Sequence, residues 1–465
     1  MIRYLKTILI LLLTLSCSNL SAQKYGHALI DSLQLELTKA KEDTNKVKLV
    51  GRLSECYGYN FDSSLYYAEK ADTLVEKLNW HQGMAMINRT IGVAYYLHRN
   101  YAKGLEYFFK SLKICEDDGD KENEEKVLSQ LVYLFNTCDD FEKSLEYATR
   151  ILKLEEATRD TEKICNGLYI FYDIYETMHN YPKALEYSFK LINIYKKTGD
   201  KRGIGYTDRS VGSIYSSEGD YNKALEYDSM SLKMSEESHD TDNIKWALLD
   251  IGSIYHIQNN DSTALEYYRK IIKIDENACD KKAITNDYYP LIDIYLKQHN
   301  YSKALEYGFM ILRNNKQNDT VNIKYALGKI GLIYFKIATD TTGTVKADDL
   351  IPAGKTANLI KARDYFIQSG IQTTLLIFFK YGRSGNGTDY YPELIETQKL
   401  LGDYEGAFES LKAAQARDDR ESSAKNNGLM SALEVKKMSD DLEKQIAIDK
   451  ITQIKKRNVY VVKLK

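Results

Sequence analysis

Leu225-Glu226-Tyr227 is one copy of a three-residue motif that returns at a fixed interval and decides the fold. The other copies begin at Leu105, Leu145, Leu185, Leu265 and Leu305, so the numbering advances by the same step of 40 (145 − 105) throughout. A fixed period of this size is the signature of stacked supersecondary units rather than of one globular core.

The unit between Asp200 and Asp240 predicts two helices joined by a tight turn. Apolar residues at 211, 214 and 215, and then at 224, 225 and 232, follow the 3.6-residue period of a helix rather than the alternation of a strand. Gly219-Asp220-Tyr221 separates the two runs, and Gly and Asp are residues that turns favour. Each 40-residue unit is therefore expected to be a helical hairpin.

Three more columns of residues keep the 40-residue period, and each has a structural explanation. Aromatic residues stand at Tyr95, Phe135, Tyr175, Tyr215, Tyr255 and Tyr295. Small residues, expected where two helices approach most closely, stand at Gly104, Ser144, Ala184, Ala224, Ala264 and Ala304. Aspartates, expected to cap the free N–H groups of a following helix, stand at Asp120, Asp160, Asp200, Asp240 and Asp280.

The unit resembles the tetratricopeptide repeat family in Val211-Gly212, Tyr215, the Gly219-Asp220-Tyr221 turn, Ala224 and Tyr227. The resemblance covers residues 45–416 and implies an all-α fold, a right-handed α-solenoid of helix hairpins. Because the family unit has about 34 residues, the extra length predicts helices of about 17 residues, or ~25 Å. Val132, Tyr172 and Ile292 depart from the family pattern, which has Gly at these positions.

Residues 1–22 have the pattern of a secretory signal peptide, with Arg3 and Lys6 before a short apolar run. Two cleavage sites are consistent with the sequence. Cleavage after Ala22 would release a soluble chain beginning at Gln23, whereas Leu15-Ser16-Cys17 resembles a bacterial lipoprotein box that would leave a lipid on Cys17. Both predict an exported protein, either periplasmic or associated with the envelope.

The rest of the chain is predicted to form a stack of repeats with a capping helix at its N-terminal end. A capping helix at 23–44 precedes repeats at 45–338, an insertion loop at 339–357 and degenerate repeats at 358–420. A polar helix with an irregular apolar stripe at 421–465 could form a coiled coil, and its basic end could touch a membrane. Lys+Arg 64 against Asp+Glu 66 gives a net charge of −2, which does not favour nucleic-acid binding.

No catalytic, cofactor or metal site is predicted. The seven histidines form no metal-binding pair. The cysteines after the signal peptide, at 56, 115, 138, 165 and 279, include no Cys-x-x-Cys, and we expect buried free thiols. Gly354-Lys355-Thr356 ends like a phosphate loop, but Asp349 stands where the required earlier glycine would be. We expect a protein that is not an enzyme.

The family alignment places the function on the first helix of each hairpin, in a concave groove that binds a protein or peptide. The proposed groove residues mix aromatic rings with charges, as binding hot spots do. They are Arg89, Tyr96, Tyr169, Asp173, Glu176, Tyr206, Arg209, Trp246, His256, Tyr289 and Asp293. The alternative follows from a further resemblance, to the extracytoplasmic part of bacterial sensor proteins that contain these repeats. It is a sensor-like component, either a stand-alone module or a shortened relative of those proteins, that passes a signal to a membrane partner.

Overall fold

The structure is a computed structural model that describes residues 20–58, 60–314, 320–343, 345–370 and 390–418, together with 435, 437 and 438. Within these residues the regular secondary structure is entirely helical. The chain divides into two compact units, the first built on residues 23–187 and the second on residues 188–420. Val435, far along the chain, belongs to the first unit and is fully buried in its apolar core.

The helices of the first unit mostly have the length that the period predicts, 17 or 18 residues, as in Phe61–Lys77 and Tyr101–Asp118. They are α1 (Leu20–Lys39), α2 (Thr44–Cys56), α3 (Phe61–Lys77), α4 (His81–Leu97), α5 (Tyr101–Asp118), α6 (Lys121–Thr137), α7 (Phe141–Thr158) and α8 (Thr161–Thr177). The next helix, α9 (Tyr181–Thr198), runs from the first unit into the second. From α2 to α8, each helix packs on the next along the chain.

The second unit repeats the same arrangement. Its helices are α10 (Lys201–Glu218), α11 (Tyr221–Glu237), α12 (Thr241–Ile257), α13 (Asp261–Asn277), α14 (Lys281–Lys297), α15 (Tyr301–Asn314), α16 (Thr320–Thr339), α17 (Lys355–Ser369) and α18 (Tyr391–Leu400). Residues 404–418 are also helical. Consecutive helices from α10 to α18 pack on each other, so the predicted all-helical repeat architecture is confirmed.

Between residues 79 and 299, two residues in each repeat unit adopt the left-handed backbone conformation. The series is Asn79, Arg99, Gly119, Asp139, Arg159, His179, Gly199, Gly219, His239, Asn259, Cys279 and His299. Each ends one helix just before the cap of the next, and their φ angles lie between 47° and 82°. Successive members of the series are evenly spaced, so the two halves of the unit are equal in length.

A capping side chain follows each of these turns except the first, where Trp80 precedes α4 without a side-chain cap bond. The predicted aspartate column is confirmed, since Asp120, Asp160, Asp200, Asp240 and Asp280 all accept a backbone N–H two or three residues further on. A second column of residues caps the second helices in the same way. The sequence pattern predicts only a turn at these positions. The members of this column are Asn60, Asn100, Asp140, Asn180, Asp220, Asn260 and Asn300.

The tyrosine of the Leu-Glu-Tyr motif stacks on the aromatic column of its own hairpin. The six ring pairs have centroids 5.5 to 5.8 Å apart: Tyr95–Tyr107, Phe135–Tyr147, Tyr175–Tyr187, Tyr215–Tyr227, Tyr255–Tyr267 and Tyr295–Tyr307. Offset-stacked rings at this spacing are favourable beyond the area they bury. Each pair holds the first helix of a hairpin against the second. This contact explains why the aromatic column and the tyrosine of the Leu-Glu-Tyr motif both recur in these units.

The glycine of the family pattern makes room for a large side chain on the second helix. A Cβ added to Gly92 would stand 2.6 Å from the ring of Phe108, and one added to Gly252 would stand 2.7 Å from the ring of Tyr268. Where Val132 replaces the glycine, the residue at the position equivalent to Phe108 is the small Ala148. The larger side chain at Val132 is thus accompanied by a smaller side chain at the facing position of the second helix.

The insertion leaves α16 at Thr339 and returns to helix at Lys355. Its carboxylates bind the turn of the preceding hairpin: Asp340 accepts from Tyr301 and contacts Nδ1 of His299 at 2.9 Å, and Asp348 accepts from Ser302. A cavity of about 590 Å³ lies between this loop and the turn. The insertion loop is therefore packed against the rest of the second unit through these hydrogen bonds.

Two predictions lie wholly or largely outside the described residues: the signal peptide with Cys17, and most of the helix at 421–465. Helix α1 begins at Leu20, upstream of the predicted cleavage after Ala22. In the part of the chain that the structure describes, no helix is both long and apolar enough to cross a membrane.

The five cysteines at 56, 115, 138, 165 and 279 are thiols that are not joined in disulfides in the part of the chain that the structure describes. The expectation that they are buried holds for Cys115 and Cys165, and it is wrong for Cys279, which is exposed. Cys279 is one of the left-handed turn residues, so it lies at a joint between two helices rather than on a packed helix face.

Candidate protein-binding surface

We call the outward side of the first helices of the hairpins the first-helix surface; these helices are α2, α4, α6 and α8 in the first unit and α10, α12, α14 and α16 in the second. Their opposite sides pack on the second helices, and the stacked aromatic pairs and the small residues lie in this packed interface.

In the first unit, neighbouring first helices are joined through polar side chains near the surface. The guanidinium of Arg89 lies 3.4 Å from the carboxylate of Glu55, and the Tyr96 hydroxyl bonds the Thr137 hydroxyl at 2.9 Å. Burial raises the pKa of Tyr96, so this phenol is a neutral hydrogen-bonding group. Two of the predicted residues, Arg89 and Tyr96, therefore connect adjacent repeats.

Asp173 lies next to aromatic rings in the same unit. Burial raises the pKa of its carboxyl to about 6, and the charge of Glu176 adds to the effect. The ring of Tyr169, one turn earlier on α8, lies 5.3 Å from the ring of Tyr172 and is 51% exposed. Tyr133, on α6, is 41% exposed, and its pKa is raised by burial and then by the charge of Asp173. The structure thus brings Tyr169, Asp173 and Glu176 together and adds Tyr133.

In the second unit, Arg209 is held between an aromatic ring and a carboxylate of the next first helix. Its guanidinium lies 5.6 Å from the centre of the Trp246 ring and 3.8 Å from the carboxylate of Asp250. Such a cation over an indole face is stabilising. Tyr206, one turn before Arg209, is 41% exposed, and its pKa is raised by burial and then by Asp240. Tyr206, Arg209 and Trp246 therefore form one cluster.

Tyr289 and Asp293 form a second cluster in this unit around a lysine that sequence reasoning missed. Lys329 pairs with the carboxylate of Asp293 and lies 5.8 Å from the ring of Tyr325, which meets the Tyr289 ring at 4.7 Å. Burial alone would lower the pKa of Lys329, but the carboxylate of Asp293 outweighs it and raises that pKa. The lysine is therefore charged, although it is almost fully buried.

A periodic signal could have found Lys329. Arg89, Arg209 and Lys329 are spaced three units apart (209 − 89 and 329 − 209), so they occupy one position of the repeat. Each contacts a carboxylate of a neighbouring first helix: Glu55, Asp250 and Asp293 respectively.

His256 belongs to the turn of its own hairpin. Its Nδ1 lies 2.7 Å from the carboxylate of Asp261, which also meets Lys297 at 3.3 Å. The histidine therefore connects the end of α12 to the start of α13. No grouping of three or more His, Cys, Asp or Glu suitable for a metal ion occurs among the described residues.

Residues 203–277 match the tetratricopeptide repeat family. This segment covers α10 to α13, and the same two helices, caps and stacked ring pair recur in the units on either side. The match confirms, for this segment, the resemblance to the tetratricopeptide repeat family seen in the sequence.

Several solved structures are similar to the chain. The apo form of RapI is 16% identical, with 82% of this chain and 97% of that one covered and a TM-score of 0.46. A signal-transduction ATPase with a tetratricopeptide repeat sensor, from Pyrococcus horikoshii, is 17% identical, with 69% and 47% covered and a TM-score of 0.45. The apo quorum sensor NprR from B. thuringiensis is 13% identical, with 85% and 93% covered and a TM-score of 0.41. These identities and TM-scores are low, and the fold assignment rests on the helices of this chain itself. No curated protein matches the sequence.

Proposed function

We propose that the chain is a non-enzymatic protein-interaction module that holds a protein or peptide segment on its first-helix surface. The observation that carries the proposal is the exposure of Tyr133, Tyr169 and Tyr206 on that surface. Tyrosines of the aromatic column stack inside the hairpins, so the repeat fold explains them, whereas these three leave much of their rings open to solvent.

The chemistry beside the exposed rings supports binding of polypeptide. Tyrosine, tryptophan and arginine dominate protein-binding hot spots because they combine large contact area with a polar group. Arg209 with Trp246, and Asp293 with Lys329, place charges of both signs next to aromatic faces. A peptide offers matching partners through its side chains and its backbone.

A binding measurement with a matched control tests this proposal. The probe is a pool of fluorescein-labelled nine-residue peptides of mixed sequence, titrated against the full chain by fluorescence anisotropy. The double variant Tyr133→Ser/Tyr169→Ser should lose most binding, because two open rings leave the surface. The control Tyr66→Ser removes a ring that is 58% exposed on α3, a second helix, and should bind like wild type. Equal loss in both variants, or no binding by wild type, would contradict the proposal.

We also propose that the chain is exported, on the support of residues 1–22 alone. Fractionation of cells that produce the full chain should place it outside the cytoplasm. Labelling with a palmitate analogue separates the two cleavage sites: label that disappears in Cys17→Ser indicates a lipoprotein, and absence of label indicates cleavage after Ala22.

The sensor-like alternative stays a prediction. Deleting residues 421–465 tests it, because a signalling partner captured from envelope membranes only by the intact chain would identify the C-terminal segment as the output. Capture of the same partner by both forms would favour the repeat surface.

A further inference from the structure

The first unit carries a cluster of carboxylates and exposed rings that we call the acidic aromatic patch: Tyr133, Tyr169, Asp173 and Glu176. Tyr169, Asp173 and Glu176 follow each other at spacings of four and three on α8, so they share one side of that helix. Tyr133 stands at the same position of the repeat on α6 as Asp173 on α8, and its pKa is raised first by burial and then by the charge of Asp173. The four side chains therefore belong to one stretch of surface.

In the part of the chain that the structure describes, the patch has no paired cation of the kind found at other charged positions of the first-helix surface. Arg89 meets Glu55, Arg209 meets Asp250, and Lys329 meets Asp293. Within the described residues, the side-chain carboxylates of Asp173 and Glu176 have neither a Lys or Arg at ion-pair distance nor a hydrogen-bond donor. The Thr177 hydroxyl donates to the backbone carbonyl of Asp173 at 2.9 Å and does not reach its carboxylate.

A carboxylate that is partly buried and lacks a partner is in an unfavourable position, since burial penalises its charged form. The raised pKa of Asp173 reports this cost. An incoming cation would form a charge-assisted hydrogen bond with the carboxylate and would also be attracted to the faces of neighbouring rings. The patch therefore has the charge and the ring chemistry that fit a cationic side chain.

We propose that the acidic aromatic patch binds a lysine or arginine side chain of the partner polypeptide, with Asp173 as the residue that selects it. The inference rests on the proposed function, since it names the chemistry of the segment that the first-helix surface holds. The partner is then a polypeptide segment that contains a basic residue. The proposal concerns the contact of that residue with the first unit alone.

Two peptide pools that differ only in the terminal ammonium group of the central side chain test the proposal. Both are nine-residue fluorescein-labelled pools of mixed sequence, one with lysine fixed at the central position and the other with norleucine, which keeps the aliphatic chain without the charge. Wild type should bind the lysine pool roughly tenfold more tightly, as one charge-assisted bond with ring contact predicts. In Asp173→Asn, which preserves shape, the preference should fall to within about twofold.

The control is Glu162→Gln, which removes one negative charge from an exposed position in the first turn of the same helix. It should keep the tenfold preference. Circular dichroism establishes that each variant is folded, and Glu176→Gln, with a smaller expected loss of preference, replaces Asp173→Asn if that variant does not fold.

The outcomes separate this inference from the proposed function. Equal binding of both pools by wild type overturns the patch and leaves the proposed function standing. Binding of neither pool overturns the proposed function and the inference with it. A preference that survives in both Asp173→Asn and Glu176→Gln, or that is lost equally in Glu162→Gln, also overturns the assignment to this patch.

Discussion

Glu155 should make the stability of the first unit depend on pH. This glutamate is 2% exposed, and one of its carboxyl oxygens, Oε2, has no hydrogen-bond partner among the described residues. Burial raises its pKa from 4.5 to about 8; the charge of Glu125 adds to this, while Lys163 and the amide of Gly167 oppose it. The folded state therefore holds a proton that the unfolded state has lost between these two pH values.

The sign and size of the effect follow from linkage. Because the folded state binds more protons, the free energy of unfolding falls as pH rises from about 4.5 to about 8, by about 1.4 kcal/mol per pH unit. At pH 7 the cost is on the order of 3 kcal/mol. Glu155→Gln keeps the shape of the protonated acid and removes the titration. It should be more stable than wild type at pH 7 and nearly equal to it at pH 4.5.

Thermal unfolding followed by circular dichroism from pH 4.5 to pH 8 measures this difference. For a unit of this size, each kcal/mol corresponds to about 2–4 °C in Tm. The control Glu156→Gln changes the neighbouring exposed residue and should follow the wild-type curve. A Glu155→Gln variant whose difference from wild type is the same at every pH would refute the reasoning, since a packing effect alone would give that result.

Three further changes test the repeat itself, each by the urea midpoint of unfolding. Asp200→Ala removes the 3.0 Å bond to the amide of Gly203 and should cost about 1 kcal/mol; an unchanged midpoint would show that the cap contributes nothing. Gly252→Ala drives a Cβ against the ring of Tyr268 and should cost about 1–3 kcal/mol, whereas a stabilised variant would mean that the ring moves aside freely. Arg159→Gly should stabilise the protein by about 1 kcal/mol, because φ is 57° at this residue, and destabilisation would contradict that assignment of strain.

The features that repeat could be predicted from the sequence because their causes are local. Asp200 caps the helix that follows it, and Tyr227 meets Tyr215 within one hairpin, so a single unit contains both partners. The period then fixes the equivalent residues in the other units. The same holds for the length of the helices, which is set by a left-handed turn at every half period.

The features that differ between units could not be predicted, because they depend on which side chain comes from the neighbouring repeat. Arg209 contacts a carboxylate from the repeat after it, whereas Lys329, at the same position, contacts one from the repeat before it. Whether Glu155 finds a cation likewise depends on where Lys163 points, and Lys163 pairs with Glu125 instead. A period identifies the position but not the partner.

The left-handed residue that returns at every half period has a consequence for how such a chain can change in length. Both joints of a hairpin have the same form, a left-handed residue followed by a cap, yet only a whole-unit step restores the order of first and second helices. Recombination between two Leu-Glu-Tyr copies would therefore add or remove a whole hairpin and leave every joint intact. An exchange of half a unit would keep the turns but would put a first helix where a second one packs, and the ring pairs would lose their partners. The gene can thus gain or lose first-helix surface in units of one hairpin.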